Sequence, residues 1–177
     1  AKDSTITAKF KDFVGIPVVG ITVSQWNTLN SKGYNAFTLT GNTARVFRDG
    51  DTGNTSWFAD DVVNLDNFSE ELQVEVYNVF LRNGKVPYTA EGVALLRDGI
   101  ERVCTRYVFN GTFAPREVLD RTKVAGTRVD PAYAITFTPL AQMSASDRAQ
   151  RIGPPARIDA NLAGAIHTIA INVNAYS

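Results

Sequence analysis

The chain has 177 residues, 44% hydrophobic and 20% charged, which suits one globular α/β domain over 1–177 with a buried core. Eighteen Lys plus Arg balance eighteen Asp plus Glu; the bulk attraction to phosphates that marks a nucleic-acid binder is absent, and copies of the chain meet without mutual repulsion. A single cysteine, Cys104, and a single histidine, His167, exclude an internal disulfide framework, a Cys-based zinc site and any metal site built on two His ligands.

In chain order, 5–10 alternates as a half-buried strand does and Gly15-Ile16-Pro17 breaks it. After a short apolar run, Ser24 is placed to cap a brief helix carrying Trp26 and Leu29, with Gly33 just past its end. A β-hairpin is expected from 34–40 and 44–48 around Gly41-Asn42, with Ser56-Trp57-Phe58-Ala59 as a third strand beyond the turn-rich 49–54. A helix over 66–82 follows, striped by Phe68, Leu72, Val76 and Phe80 and widened by Leu65, Val79 and Leu81, and Asn83-Gly84 ends it. Thr89 caps a second helix over 90–108 with Val93, Leu96, Ile100, Val103 and Tyr107 on one face. Gly92 and Gly99 each cost this helix roughly 1 kcal/mol relative to Ala, so close packing is their expected use.

The charged stretch 112–130 reads as an exposed excursion or a short helix over 116–121. A strand at 133–137 ends at Pro139, and 144–151 forms a turn of helix before Gly153-Pro154-Pro155. The last element is a strand at 166–173, with His167, Ile169, Ile171 and Val173 on one face and Thr168, Ala170 and Asn172 on the other. Strand 133–137 is its candidate partner within the chain; the alternative is pairing with another subunit. The expected class is α+β, a mixed or antiparallel sheet with two longer helices on one side and this terminal strand available for inter-subunit pairing. No stretch approaches the roughly 20 apolar residues of a membrane span, and Ala1-Lys2-Asp3-Ser4 lacks a basic region followed by an apolar one, so a soluble chain without membrane insertion is expected. The absence of an initiator Met leads us to expect a fragment of a longer polypeptide.

Reaction chemistry finds little support. Asp49, Asp51, Asn54 and Asp60 sit in a glycine-rich loop, but counted from Asp49 the fifth and twelfth positions are Gly53 and Asp60, where a calcium loop needs Asp or Asn and a bidentate Glu. Asp60, Asp61, Asp66 and Glu70 could pair as acid and base, yet carboxylates at a helix start also complement its dipole. His167 has no nucleophile at motif spacing, and Cys104 lies among Ile100, Val103 and Val108 as a small hydrophobe. Arg116, Arg121, Lys123 and Arg128 form the densest basic segment, diluted by Glu117, Asp120 and Asp130, so no nucleic-acid partner is expected.

The segment 6–15 with Phe10-Lys11, the short helix 24–33, Asn35 in a strand and the turn leading to Trp57-Phe58-Ala59-Asp60 come in a suggestive order. Asp60-Asp61, the 72–81 helix with Gln73, Tyr88-Thr89-x-x-Gly92 and Leu162-Ala163-Gly164-Ala165-Ile166-His167 before a strand continue it. Together they resemble the C-terminal part of contractile phage tail sheath proteins and sheath-like proteins of tailed phages, over most of the chain; 112–130 matches nothing in that pattern. Full-length sheath proteins are longer, so the resemblance too implies a fragment or a reduced version.

The resemblance implies a structural virion protein and no enzyme. It would polymerise helically, or as stacked hexameric rings, around a tail tube and contract on a baseplate trigger. The contraction drives the tube through the host envelope for genome ejection. Implied partners are further copies of the chain, the tube protein, and baseplate and neck proteins. The implied place is the virion tail, with the host cytoplasm during assembly. In such proteins the terminal strand augments a sheet shared between neighbours; the positions carried over are Ile166, His167, Thr168, Ile169, Ala170, Ile171, Asn172 and Val173, with Ile169, Ile171 and Val173 as apolar anchors. No catalytic residue, cofactor or metal is implied. Two alternatives remain: another tail component, such as a tube, adaptor or terminator ring, and a small ion-dependent hydrolytic domain using the acidic loop.

Overall fold

The structure, a computed structural model, describes residues 5, 7–40, 44–48, 50, 52, 57–120 and 126–170. In chain order the elements are α1 (Val23–Asn30), β1 (Ala36–Thr40), β2 (Ala44–Arg48), α2 (Ala59–Arg82), α3 (Ala90–Phe109), β3 (Arg116–Asp120), β4 (Gly126–Asp130), β5 (Tyr133–Phe137), a 3-10 turn (Leu140–Gln142), α4 (Ala145–Ala149) and β6 (Ala156–Ala160). The class is α+β, as expected, and the strands form three two-stranded antiparallel sheets, β1 with β2, β3 with β4 and β5 with β6. The chain divides into two compact units, one of Ala1–Thr5 and Asn64–Ala163, the other of Ile6–Val63 and Gly164–Ser177.

In the first unit, α2 and α3 carry the core. Phe68 of α2, with Ile100, Val103, Cys104 and Tyr107 of α3, is buried together with Phe113 and Ala132. The rings of Phe68, Tyr107 and Phe113 form a triad with centroids 5.0, 5.1 and 5.7 Å apart, a spacing at which aromatic pairs attract beyond their area. Both helix glycines are used for close approach. A Cβ on Gly99 would stand 2.6 Å from Val79 Cγ2 of α2, and one on Gly92 would overlap the Pro87 carbonyl. Thr89 caps α3, its side chain accepting from the Gly92 N–H. Ile135 of β5 lies opposite Ile158 of β6, and both pack against the core.

Several expectations for this unit are corrected. Helix α2 begins at Ala59 rather than 66, because the Asp60-Asp61 pair complements its first turn; Asp66 and Glu70 therefore lie within the helix rather than at its start. Phe80 and Leu81 are exposed: they follow Val79 directly and so are turned by about 100° and 200° from its buried direction. The 112–130 stretch is not a helix over 116–120 but contains the β3–β4 hairpin, with Val118 opposite Arg128 and with Arg116, Glu117, Arg128 and Val129 exposed. Strand β6 has no counterpart in the sequence reading, and it takes a place beside β5, the candidate partner of 166–173.

In the second unit, α1 is capped by Thr22 rather than Ser24. Thr22 Oγ1 accepts from Gln25 N–H at 3.2 Å, and Gln25 Oε1 accepts from Thr22 N–H at 2.9 Å, a reciprocal cap at each end of one turn. Gly33 follows the helix with φ +72°, the left-handed geometry glycine adopts without penalty. Phe37 and Phe47 pair across β1 and β2, and Phe13 packs on both at 5.4 and 5.3 Å; the expected Gly41-Asn42 turn lies outside the described residues. Residues 8–10 bend instead of forming a strand. Phe10 has φ +66°, and the segment makes only one rung on β2, Phe10 N–H to Phe47 O at 2.9 Å and Phe47 N–H to Lys11 O at 3.0 Å. Of the expected third strand 56–59, Ser56 lies outside the described residues and Phe58 makes a single bridge; the strand goes no further because Ala59 is already helical and Val62 N–H bonds back to Phe58 O at 3.2 Å.

Candidate interaction surface

The terminal segment enters the second unit through Gly164, which has φ +64°. From there, 164–170 lie outside every strand of the described residues. Ile166 is 89% exposed and Ile169 76%, and Thr168 and Ala170 are exposed as well. Ile171, Asn172 and Val173 lie outside the described residues. One member of the segment is held: His167 is half-buried, its Nε2 shares a 3.0 Å hydrogen bond with Thr7 Oγ1, and its ring stands edge-on to Phe58 at 4.6 Å.

Of the carboxylates opening α2, Asp61 feels the charge of His167. Burial, and then the neighbouring Asp60, push the Asp61 carboxyl above its usual value, against the Phe58 backbone N–H and His167, which pull it down. Asp60 Oδ1 is enclosed without a hydrogen-bond partner. Both carboxylates face the N-terminal end of a helix, whose dipole they complement. No group of three or more His, Cys, Asp or Glu able to hold a metal ion occurs among the described residues; Asp49, Asp51 and Asn54 lie outside them.

Other singled-out residues sit apart from any shared site. Cys104 is fully buried in the first unit's core, and burial pushes its thiol up to about 11. In the β3–β4 hairpin, Arg116 is exposed and Arg128 pairs with Asp130 at 3.1 Å; Arg121 and Lys123 lie outside the described residues. No helix among the described residues is long and apolar enough to cross a membrane.

Sequence reasoning missed two exposed apolar features. On α2, Val74, Tyr77 and Leu81 are exposed and recur at i, i+3 and i+7, one helical face turned away from Val79. The spacing was readable, but Leu81 was assigned to the inner stripe. In the second unit, Val14 is 95% exposed, with Ile16 and Val19 exposed beside it. Arg45 holds that loop in shape: its Nη2 donates to Phe13 O at 3.1 Å and Ile16 O at 2.6 Å, while Nε lies 3.4 Å from Asp12 Oδ1. No local pattern announces an arginine that binds a loop some thirty residues upstream.

Apolar residues are thus displayed in groups on a loop and on a helix face, the kind of feature that contiguous apolar patches at protein contacts share. Residues 59–175, close to two thirds of the chain, match the family described as E217 tail sheath protein gp31-like, C-terminal domain. The chain belongs to that family: it carries the C-terminal domain of a phage tail sheath protein over 59–175, structural in kind and oligomeric in the virion tail. The match begins at the first residue of α2 and takes in the terminal segment. No curated protein matches the chain.

Proposed function

We propose that the chain serves as a subunit of a contractile sheath, polymerising helically around a tail tube and contracting to drive that tube through the host envelope for genome ejection. Its partners on this reading are further copies of itself, the tube, and the baseplate and neck proteins. It is assembled in the host cytoplasm and carried in the virion. Its work is mechanical, with no catalytic residue. Residues 166–173 donate a strand to a neighbour's sheet, anchored by Ile169, Ile171 and Val173.

The observation that carries this reading is the terminal segment, where Ile166 and Ile169 stand exposed and 166–170 join no strand among the described residues. An extended chain with unspent backbone donors and acceptors adds to an open sheet edge at little conformational cost. Two-stranded sheets, of which the described residues have three, each leave outer edges for such an addition. Identical subunits joined by a heterologous contact of this kind form a ring or an open helix according to whether the rotation closes.

The test is electron microscopy of the purified chain, and of its longer parent where one exists, across a concentration series with and without 166–177. Tubes or helical polymers from the intact protein, and a folded but non-polymerising truncation, are expected. Closed rings would favour a tube, adaptor or terminator role. Normal polymers from the truncation would refute strand donation.

A further inference from the structure

Among the described residues of the second unit's terminal segment, His167 is fastened and 168–170 are exposed. His167 is held by Thr7 and Phe58, at 3.0 and 4.6 Å, whereas Thr168, Ile169 and Ala170 are exposed. In an extended chain alternate residues share a face, so a strand donated from 166–173 would carry its apolar anchors on the face of His167. The chain's own unit thus covers the first member of that face and leaves the second, Ile169, 76% exposed.

Resting on the strand-donation reading, we infer that His167 is a positioning residue that fixes the root of the donated strand. Clamped between Thr7 and Phe58, it makes Thr168 the first free residue and sets which face of the strand meets the neighbour. A one-residue slip would turn every anchor to the opposite face, so a fixed root confers register as well as reach. The six residues 168–173 extend over at most about 20 Å. The acceptor edge of the neighbouring subunit therefore lies within about that distance of His167.

The single histidine of the chain makes the clamp directly observable. Its ring proton resonance, in the intact protein below its polymerising concentration, should be displaced from the free-imidazole position by the Phe58 ring. Phe58→Leu should return it there. A wild-type signal already at the free position would overturn the inference. In assembly, His167→Ala should raise the critical concentration for polymerisation about tenfold, because fewer subunits present the strand in its competent position. Thr7→Val, which removes the hydrogen bond from the other partner, should raise it in the same direction but less, and it stands in should His167→Ala fail to fold. Removing 168–177 should abolish polymerisation. If it does, while both substitutions leave the critical concentration unchanged, the positioning role is refuted and strand donation stands. If the truncated chain polymerises normally, strand donation itself is refuted.

Discussion

Gly99→Ala tests the closest approach between the two long helices. Judged as a helix position alone, the substitution should stabilise α3 by about 1 kcal/mol. The new Cβ, however, would stand 2.6 Å from Val79 Cγ2, well inside van der Waals contact. Val79 is 3% exposed, and a β-branched side chain in a helix has essentially one rotamer, so it cannot swing aside. Overpacking of this kind costs about 1–3 kcal/mol, and the net effect should be a destabilisation of up to about 2 kcal/mol. Val79→Ala removes the obstructing methyl groups; in that background Gly99→Ala should become stabilising by up to about 1 kcal/mol. The coupling between the two changes should then be about 1–3 kcal/mol, within the range of side chains in direct contact. Urea titration followed by far-ultraviolet circular dichroism reads this well, since α2 and α3, of 24 and 20 residues, dominate the helical signal. Both tryptophans, Trp26 and Trp57, belong to the second unit, so their fluorescence reports on that unit. A Gly99→Ala protein more stable than wild type by the full helical increment, in both backgrounds, would refute the close approach.

Two further outcomes follow from the charges and the thiol. Cys104 is fully buried and its thiol is pushed from an ordinary 9.0 up to about 11, so it should resist Ellman's reagent at pH 8 in the native protein and react promptly in urea. Because its folded pKa is raised and the thiol is neutral when protonated, its share of stability is full below pH 9.0 and lost between there and about 11; a Cys104→Ser titration midpoint should lack that decline. Arg102 donates to Glu75 at 2.7 Å and, with Arg82, holds that carboxyl below its ordinary 4.5. Arg102→Ala should cost about 0.5–1 kcal/mol, less at high salt. The contribution should be full above pH 4.5 and disappear as pH falls through the lowered value.

Helix interiors were legible because their signals are local and redundant: Thr89, Ile100, Val103 and Tyr107 fall where a 3.6-residue period and a cap require. The start of α2 was not. Trp57-Phe58 and Val62-Val63 have strand-like propensity, and only the hydrogen bonding from Val62 back to Phe58 shows the helix already formed. The β3–β4 hairpin escaped for the opposite reason. Its register sets Glu117 against Val129 and Val118 against Arg128, a two-sided polar ribbon that lacks the alternation a half-buried strand displays. In β6, Ala156-Arg157-Ile158-Asp159-Ala160, Ile158 is the one residue that itself packs against the core, and its meaning appears once Ile135 stands opposite. The Thr7 contact with His167 joins residues 160 positions apart, a separation no spacing rule spans.

These gaps share a physical theme. Isolated two-stranded sheets are marginal in water and gain stability from a third strand or a packed helix. The β5–β6 sheet has such support, since Arg97 of α3 donates to Ile135 O at 3.0 Å and stacks over Phe137 at 5.3 Å. The β1–β2 sheet has a share of it, from Phe13 on its aromatic pair and the rung at Phe10 and Lys11. The β3–β4 hairpin shows the least: Arg116, Glu117, Arg128 and Val129 are all exposed. On the proposed reading, a donated strand supplies the missing neighbour, and the same backbone groups that make the hairpin and the terminal segment costly in a lone subunit become the adhesive of the polymer. Zero net charge removes the repulsion that would otherwise oppose that contact. Sequence patterns report burial within one chain, so the surfaces completed only by a second copy are where such patterns are weakest.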